Sequence, residues 1–438
     1  MNKILTFLYR TRQSLLFVPS IFIISSFVLF YFLNTTIFES AILKYFYQEH
    51  WDGFIGQSAY NLLGVANNVV VTIFALSISL TMIVLTLVSG QIGPRIMDHF
   101  LGNKVTQMIL GLYLGTILFL MLLSARIGSE TPQDQMPLLA ITFGYIFVII
   151  SPALMVYFIQ HLASSIIPDN VVTSLSDSLS AAVDNYLKNE ARSGSSTREQ
   201  LPKFEHVVLL RSKSSGYLSN IKETSLVAFL AEQDYMLDFM HLPGRFIIEG
   251  AEIGKVYSKK KQVSAEEIEK IENYIEFSRQ IPIIKDVEFF LRQIVEIALR
   301  ALSPGINDPY TAHACINYMF KSLQRIALSN QLPSGIYFDD KNRPRLYRPF
   351  FTLENMYDLA LNEIQEATIS HVNTQIYILE IIIVTLSSPI NTKAKKHLIL
   401  HAKEILKGIK KQTSYLPIVD KLMLLKNELK LVCKENNI

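Results

Sequence analysis

Along the first third of the chain, hydrophobic positions run in long unbroken stretches. Between Arg12 and Glu39 lie 26 uncharged residues, including the run Leu15–Leu33. The stretch Gly53–Pro94 carries no charge over 42 residues and is most apolar at Val69–Val88. Two further runs follow, Val105–Ala125 and Pro137–Gln160. A helix needs about 20 residues to cross the roughly 30 Å hydrocarbon core of a bilayer. Each run is that long, so the pattern predicts four transmembrane helices in a domain spanning residues 1–168.

After the fourth run the pattern changes. Residues 169–188 read as an amphipathic helix leaving the membrane, and 189–199 (NEARSGSSTRE) as a polar linker. This connecting segment, 169–199, is followed by a small β-rich module at 200–262. There His206–Leu210 and Arg245–Ile248 have strand character, and Ser215–Gly216, Pro243–Gly244 and Glu249–Gly250 mark turns. From Ser264 onward only helices are expected, at 265–278, 286–302, 309–329, 352–369, 371–387, 391–411 and 416–435. In the second of these, Val287, Phe290, Leu291, Ile294, Ile297, Ala298 and Ala301 form an apolar face. The expected fold class is therefore membrane α-helical, with four spans, plus a cytoplasmic α+β region. That region comprises the β-rich module and a helical domain at 263–438.

Composition agrees with this division. Half of the 438 residues are hydrophobic and 18% are charged, against about a quarter charged in a typical soluble domain. Residues 1–161 hold only seven Lys/Arg and six Asp/Glu of the chain's 41 and 38. A purely cytosolic enzyme, intrinsic disorder and a protein of membrane helices alone are all excluded. An apolar run as long as the first is a retained helix rather than a signal peptide.

Charge in the connecting segments sets the orientation. The amino terminus has Lys3, Arg10 and Arg12, and the first loop has Glu39, Glu49 and Asp52 against Lys44. The second loop sets Arg95 and Lys104 against Asp98, and the third sets Glu130 and Asp134 against Arg126. The alternation places both termini in the cytoplasm by the positive-inside rule. Trp51, Tyr45, Tyr47 and Tyr60 in the first outer loop suit an interfacial belt.

The second span carries the candidate chemistry. Asn61, Gly64, Asn68, Thr72, Ala75, Ser79, Thr86 and Ser89 are polar or small, at steps of 3, 4, 4, 3, 4, 7 and 3. These steps keep them on one helix face, interrupted by Met82. Such a stripe can line a water-filled path, its hydroxyls and amides solvating an ion without carrying charge. It can equally bring helices into close, hydrogen-bonded contact. The four apolar cores contain no Asp, Glu, Lys or Arg, which disfavours coupled transport. With so few helices, any pore is expected on an oligomer axis. In the third span Gly111 and Gly115 form a GxxxG packing motif.

Elsewhere the chemistry is sparse. No GxSxG, HExxH, Walker A or Rossmann fingerprint occurs, so no enzyme activity and no cofactor are expected. Cys315 and Cys433 are far apart and read as buried free thiols. His397 and His401 are an i, i+4 pair lacking a third ligand nearby in sequence, and no metal site is assigned. The last 48 residues hold eleven lysines against four acids, the pattern of a solvated face or of a lipid-headgroup surface. A net charge of +3 and few interleaved aromatics give nucleic-acid binding no support.

In the loop RALSPGINDPYTA, residues 300–312, Pro304–Gly305 stops one helix, and Asp308 caps the next with Pro309 at its first position. Ser303, Pro304, Gly305, Asn307, Asp308 and Pro309 are the candidate residues of this loop. Asn307 and Asp308 could form a polar binding point, although capping alone accounts for them. Together with SGQIGPRIMDHF after the second span and LGLYLGT in the third, this motif resembles a family of predicted bacterial inner-membrane proteins, catalogued as a domain of unknown function. Members tend to read SSQFSPR after the second span, and Gly90, Ile92 and Gly93 depart from that. The module SGYLSNI…LPGRFIIEGAEIGKV in turn resembles a small barrel-sandwich of the lipoyl-like type, without an identifiable lysine for attachment.

The functional expectation is an oligomeric ion channel or uncoupled pore, lined by Asn61, Asn68, Thr72, Ser79, Thr86 and Ser89 and assembled or gated by the cytoplasmic region. Its partners would be the lipid bilayer, further copies of itself and inorganic ions. The alternative is a non-transporting membrane scaffold or sensor whose cytoplasmic domain binds a partner or small ligand.

Overall fold

The computed structural model describes residues 17–33, 57–91, 103–127, 136–188, 206–259, 263–280, 284, 286–329, 334–412 and 415–435. The chain divides into two compact units, Met1–Val171 and Val172–Ile438.

The amino-terminal unit is helical: α1 (Phe17–Leu33), α2 (Gln57–Gln91), α3 (Lys104–Arg126) and α4 (Leu138–Ile166). Among the described residues three helices, Ser58–Gly90, Lys104–Arg126 and Leu138–Ile166, are long and apolar enough to cross a membrane. The first expected span is described only over the 17 residues of α1, a mostly apolar helix shorter than the other three. The second loop and the outer-loop aromatics Tyr45, Tyr47 and Trp51 lie outside the described residues.

Helix α3 is the centre of this unit. Asn103 caps it by accepting from the Val105 and Thr106 amides, and its sides meet α1, α2 and α4. Tyr113, Phe119, Leu120 and Leu123 of α3 are fully buried, with Leu63 of α2 and Phe158 of α4. Phe119 takes edge-to-face contacts from Phe30 at 6.2 Å and Phe147 at 5.7 Å, a favoured aromatic geometry. Pro152 lies inside α4, and next to it the Ser151 carbonyl accepts a 3.2 Å hydrogen bond from the Tyr113 hydroxyl.

The boundary between units falls within α5 (Pro168–Lys188), whose buried residues Val172, Leu175, Leu179 and Val183 share one side. The linker 189–199 lies outside the described residues. Two sheets follow. The larger contains β1 (His206–Arg211), β5 (Glu252–Ser258), β3 (Tyr235–Phe239), β8 (Pro344–Tyr347) and β7 (Ile336–Phe338), in that order. The smaller contains β4 (Phe246–Ile247), β2 (Gly216–Ile221) and β6 (Ile275–Ser278). All pairings are antiparallel except β3–β8. Both sheets and α6 (Glu223–Gln233) share one core, including Leu210, Leu218, Leu226, Leu230, Phe239, Val256, Ile275 and Leu346.

Two segments depart from the expected run of helices after Ser264. A Ser264–Glu267 capping box starts α7 (Ala265–Glu272). Ile275–Ser278 then forms strand, Ile275 facing Ile221 and Phe277 facing Leu218 across the ladder with β2. Backbone pairing supplied by a remote strand overrides the local helical preference here. Residues 336–347, given no element from sequence, form the hairpin β7–β8 and extend the larger sheet.

That hairpin is fixed by charge. Arg345, only 3% exposed, pairs with Asp339 and Asp234, each at 2.9 Å, and donates to the Tyr235 carbonyl at 3.2 Å. Burial works to raise the Asp339 carboxyl, but the Arg343 amide and the Arg345 and Arg343 guanidinium groups outweigh it and hold the group at about 2.

Six helices complete the unit: α8 (Val287–Ala301), α9 (Pro309–Ala327), α10 (Leu353–Ala367), α11 (Val372–Leu386), α12 (Thr392–Gln412) and α13 (Leu416–Glu435). The apolar face anticipated for α8 is buried except for the half-buried Phe290. Helix α10 packs on α8 and α12, and α11 on α9, α12 and α13. On α12, Leu398, Ile399, Ala402, Ile405 and Ile409 face the bundle, and Lys393, Lys396, Lys403, Lys407, Lys410 and Lys411 are exposed. Cys315 is buried and outside any disulfide, and Cys433 is only half-buried, because it lies on the final helix.

Candidate functional site

Every residue of the α2 stripe is described. Asn61, Asn68, Thr72, Ser79 and Thr86 are exposed and Ser89 is half-buried, while Gly64 and Ala75 between them are also exposed. Open space stands where a Cβ on Gly64 or Gly90 would go. The stripe therefore points away from the unit's own helices. Ala59, Leu63, Val70, Val84, Leu85 and Val88 make the opposite, buried side, packed on α3 and α4. From Asn61 to Ser89 the stripe runs about 42 Å at 1.5 Å per residue, longer than the hydrocarbon core.

Three of its hydroxyls are satisfied within the helix. Thr72 donates to the Asn68 carbonyl at 2.8 Å, Ser79 to the Ala75 carbonyl at 3.0 Å and Thr86 to the Met82 carbonyl at 2.9 Å. Such back-bonding keeps a hydroxyl tolerable in an apolar medium while its oxygen still has accepting capacity.

Helix α2 also buries hydroxyls that no stripe in the sequence singles out. Ser77 is fully buried and donates to the Ile73 carbonyl, with the Met155 sulfur at 3.2 Å. Thr81 beside it donates to the Ser77 carbonyl. Ser77 and Thr81 share an i, i+4 spacing, but Val84, Leu85 and Val88 continue their side, so the polar pattern stops after two members.

Gly111 and Gly115 lie against α1. A Cβ on Gly111 would stand 2.8 Å from the Phe22 ring and 3.0 Å from the Pro19 Cα; one on Gly115 would stand 3.1 Å from the Phe22 carbonyl oxygen. The two helices approach too closely there for any larger side chain without displacement.

The loop between α8 and α9 is a compact turn. The Ser303 hydroxyl donates to the Arg300 carbonyl, and its own carbonyl accepts from the Ile306 and Asn307 amides. Asn307 takes the left-handed conformation, φ +51°, which asparagine tolerates better than most residues. Asp308 caps α9, accepting from the Thr311 amide at 3.2 Å and the Thr311 hydroxyl at 2.6 Å, with Pro309 at the first helical position. Pro304, Gly305, Ile306 and Asn307 are exposed. Both carboxylate oxygens of Asp308 thus serve the start of α9.

A further group comes together in the helical bundle. His397 and His401 of α12 both direct Nε2 at Oδ1 of Asp358 on α10, at 2.8 Å and 3.2 Å. The Gln365 amide, on α10, lies 3.2 Å from Nδ1 of His401. Burial, and then the neighbouring His397, lower the pKa of His401. The histidine spacing is visible in the sequence. Asp358 and Gln365 are not, because the packing of α10 on α12 brings them in from 39 and 36 residues away.

In the small-sheet region a cleft of about 170 Å³ includes Arg211, Lys213, Glu272 and Asn273. Lys213 and Glu272 close part of it with a 2.6 Å ion pair. Its volume is below the 300–1,000 Å³ usual for drug-sized ligands.

Long apolar helices in one unit and a mixed sheet with a helical bundle in the other define a membrane-protein class of α+β construction. The chain belongs to the family described as "Predicted membrane protein (DUF2254)", whose model matches residues 12–383. It is similar to uncharacterized proteins of two Mycobacterium tuberculosis strains and of Mycobacterium bovis, each 24% identical over 297 residues. The similarity covers 67% of this chain and 57% of each relative's length. No solved structure matches the chain.

Proposed function

We propose that this is an oligomeric integral protein of the bacterial inner membrane in which the α2 helices of several copies surround an axis and form an uncharged, polar passage for inorganic ions. The observation that supports it is the outward aim of Asn61, Asn68, Thr72, Ser79 and Thr86. A polar face about as long as the membrane is thick is poorly matched to lipid, and copies of the same chain can cover it. In this reading α1 completes a fourth span and both termini are cytoplasmic. The carboxy-terminal unit, its two sheets arranged like a sandwich, assembles or gates the passage without catalysing a reaction.

A second reading has one observation in its favour. The Thr72, Ser79 and Thr86 hydroxyls bond to their own helix, so they need no water. The stripe would then be a dry seam between copies in a non-conducting scaffold or sensor.

The test is purification of the full chain in detergent, light scattering for its mass, and ion-flux assays in liposomes with potassium, sodium and chloride gradients. The pore reading expects an oligomer with flux that Thr72→Trp or Ser79→Trp changes several-fold. An oligomer without flux favours the scaffold, and a monomer without flux removes both.

A further inference from the structure

Three side chains on two helices of the carboxy-terminal bundle converge on one point. His397 and His401 stand one turn apart on α12, where an i, i+4 pair shares a face. Asp358 reaches them from α10, and its single Oδ1 lies within 3.2 Å of both Nε2 atoms. All three candidate ligand atoms fall within 4.8 Å of one another. The imidazole rings stand nearly perpendicular, 77° apart with centroids 5.1 Å apart, so their ring edges approach the carboxylate from different directions.

We propose that Asp358, His397 and His401 bind a divalent transition-metal ion, Zn²⁺ by the chemistry of the donors. Two imidazole nitrogens and one carboxylate oxygen make a ligand set that zinc accepts with a fourth position left for water. Tetrahedral zinc with bonds of about 2.0–2.1 Å places its ligand atoms roughly 3.3 Å apart. The two nitrogen–oxygen separations of 2.8 Å and 3.2 Å lie within about half an ångström of that spacing. The two Nε2 atoms lie within 4.8 Å of each other, so binding draws the imidazoles together and displaces the protons between the three groups.

The surroundings suit the ion. His401 is 3% exposed and is held from behind by Gln365. A half-turn of that amide puts its oxygen on Nδ1, where it receives the ring proton and leaves the Nε2 lone pair for the metal. Metal-binding histidines commonly have such a partner on the second nitrogen. The Asp358 side chain is 41% exposed, so an ion can enter and the fourth position faces solvent. A bound ion would clamp α10 to α12.

The experiment uses the full chain in detergent, stripped with a chelator and then equilibrated with micromolar Zn²⁺. Elemental analysis is expected to give about one zinc per chain, and Co²⁺ to give the visible absorption of a four-coordinate site. His397→Gln and Asp358→Asn are expected to abolish both signals while the helical circular dichroism stays unchanged. Gln365→Ala, removing only the partner of Nδ1, is expected to weaken zinc binding about 10–100-fold. His206→Gln, a change at an exposed histidine on β1, leaves binding intact. Zinc at background level in the folded wild-type chain overturns the proposal, as does equal zinc in wild type, His397→Gln and Asp358→Asn.

Discussion

Two helices of this protein carry polar side chains at steps of three and four, and the fold treats them oppositely. On α2 the polar stripe faces outward, and the side that meets the neighbouring helices is apolar apart from Ser77 and Thr81. On α12 the histidines turn inward onto Asp358, and the lysines take the surface. The amino-terminal unit buries hydroxyl and amide side chains such as Ser77, Thr81, Gln107 and Thr116, but no charged side chain among its described residues. The carboxy-terminal unit admits charge to its interior where a partner answers it, as at Arg345. The environment outside decides which is cheaper. A helix in lipid gains little by hiding apolar groups, and buried charge in water-soluble folds is tolerated only when paired.

The largest test of this contrast is Arg345→Ala. It takes the buried guanidinium from Asp339 and Asp234 while Arg343 stays 3.0 Å and 3.7 Å from them. About 3 kcal/mol of stability, the low end for breaking a buried pair, should therefore be lost from the carboxy-terminal unit. Denaturant unfolding followed by circular dichroism measures it. A loss below about 1 kcal/mol would mean that the hairpin does not depend on the buried pair.

Gly115→Val tests the other unit. Its branched side chain must push against the Phe22 backbone, and strain of about 1–3 kcal/mol is expected. Titration with a denaturing detergent reads it, and an unchanged midpoint would show that α1 is not seated on α3 in this way.

The smallest effect belongs to the loop. Asn307→Val, with a β-branched residue at φ +51°, should cost about 1–2 kcal/mol, whereas Asn307→Gly should be nearly neutral. Equal losses from both would point to a role for the amide side chain beyond the turn.

Much of the local architecture was legible. Uncharged runs placed α2, α3 and α4, and Asp308–Pro309 announced the start of α9, because length, capping and proline geometry act within a few residues. The strand β6 and the β7–β8 hairpin were not legible. Their short segments become strands only when β2 and β3 offer backbone partners from far along the chain.

The stripe on α2 and the histidine spacing on α12 were likewise in the sequence, since a helix fixes which residues share a face. Which way each face turns was decided only by packing. Helical periodicity is a property of one segment, but the neighbour opposite a face comes from another segment. Only the folded chain could put Asp358 and Gln365 beside His401, and leave Thr72 and Ser79 facing outward.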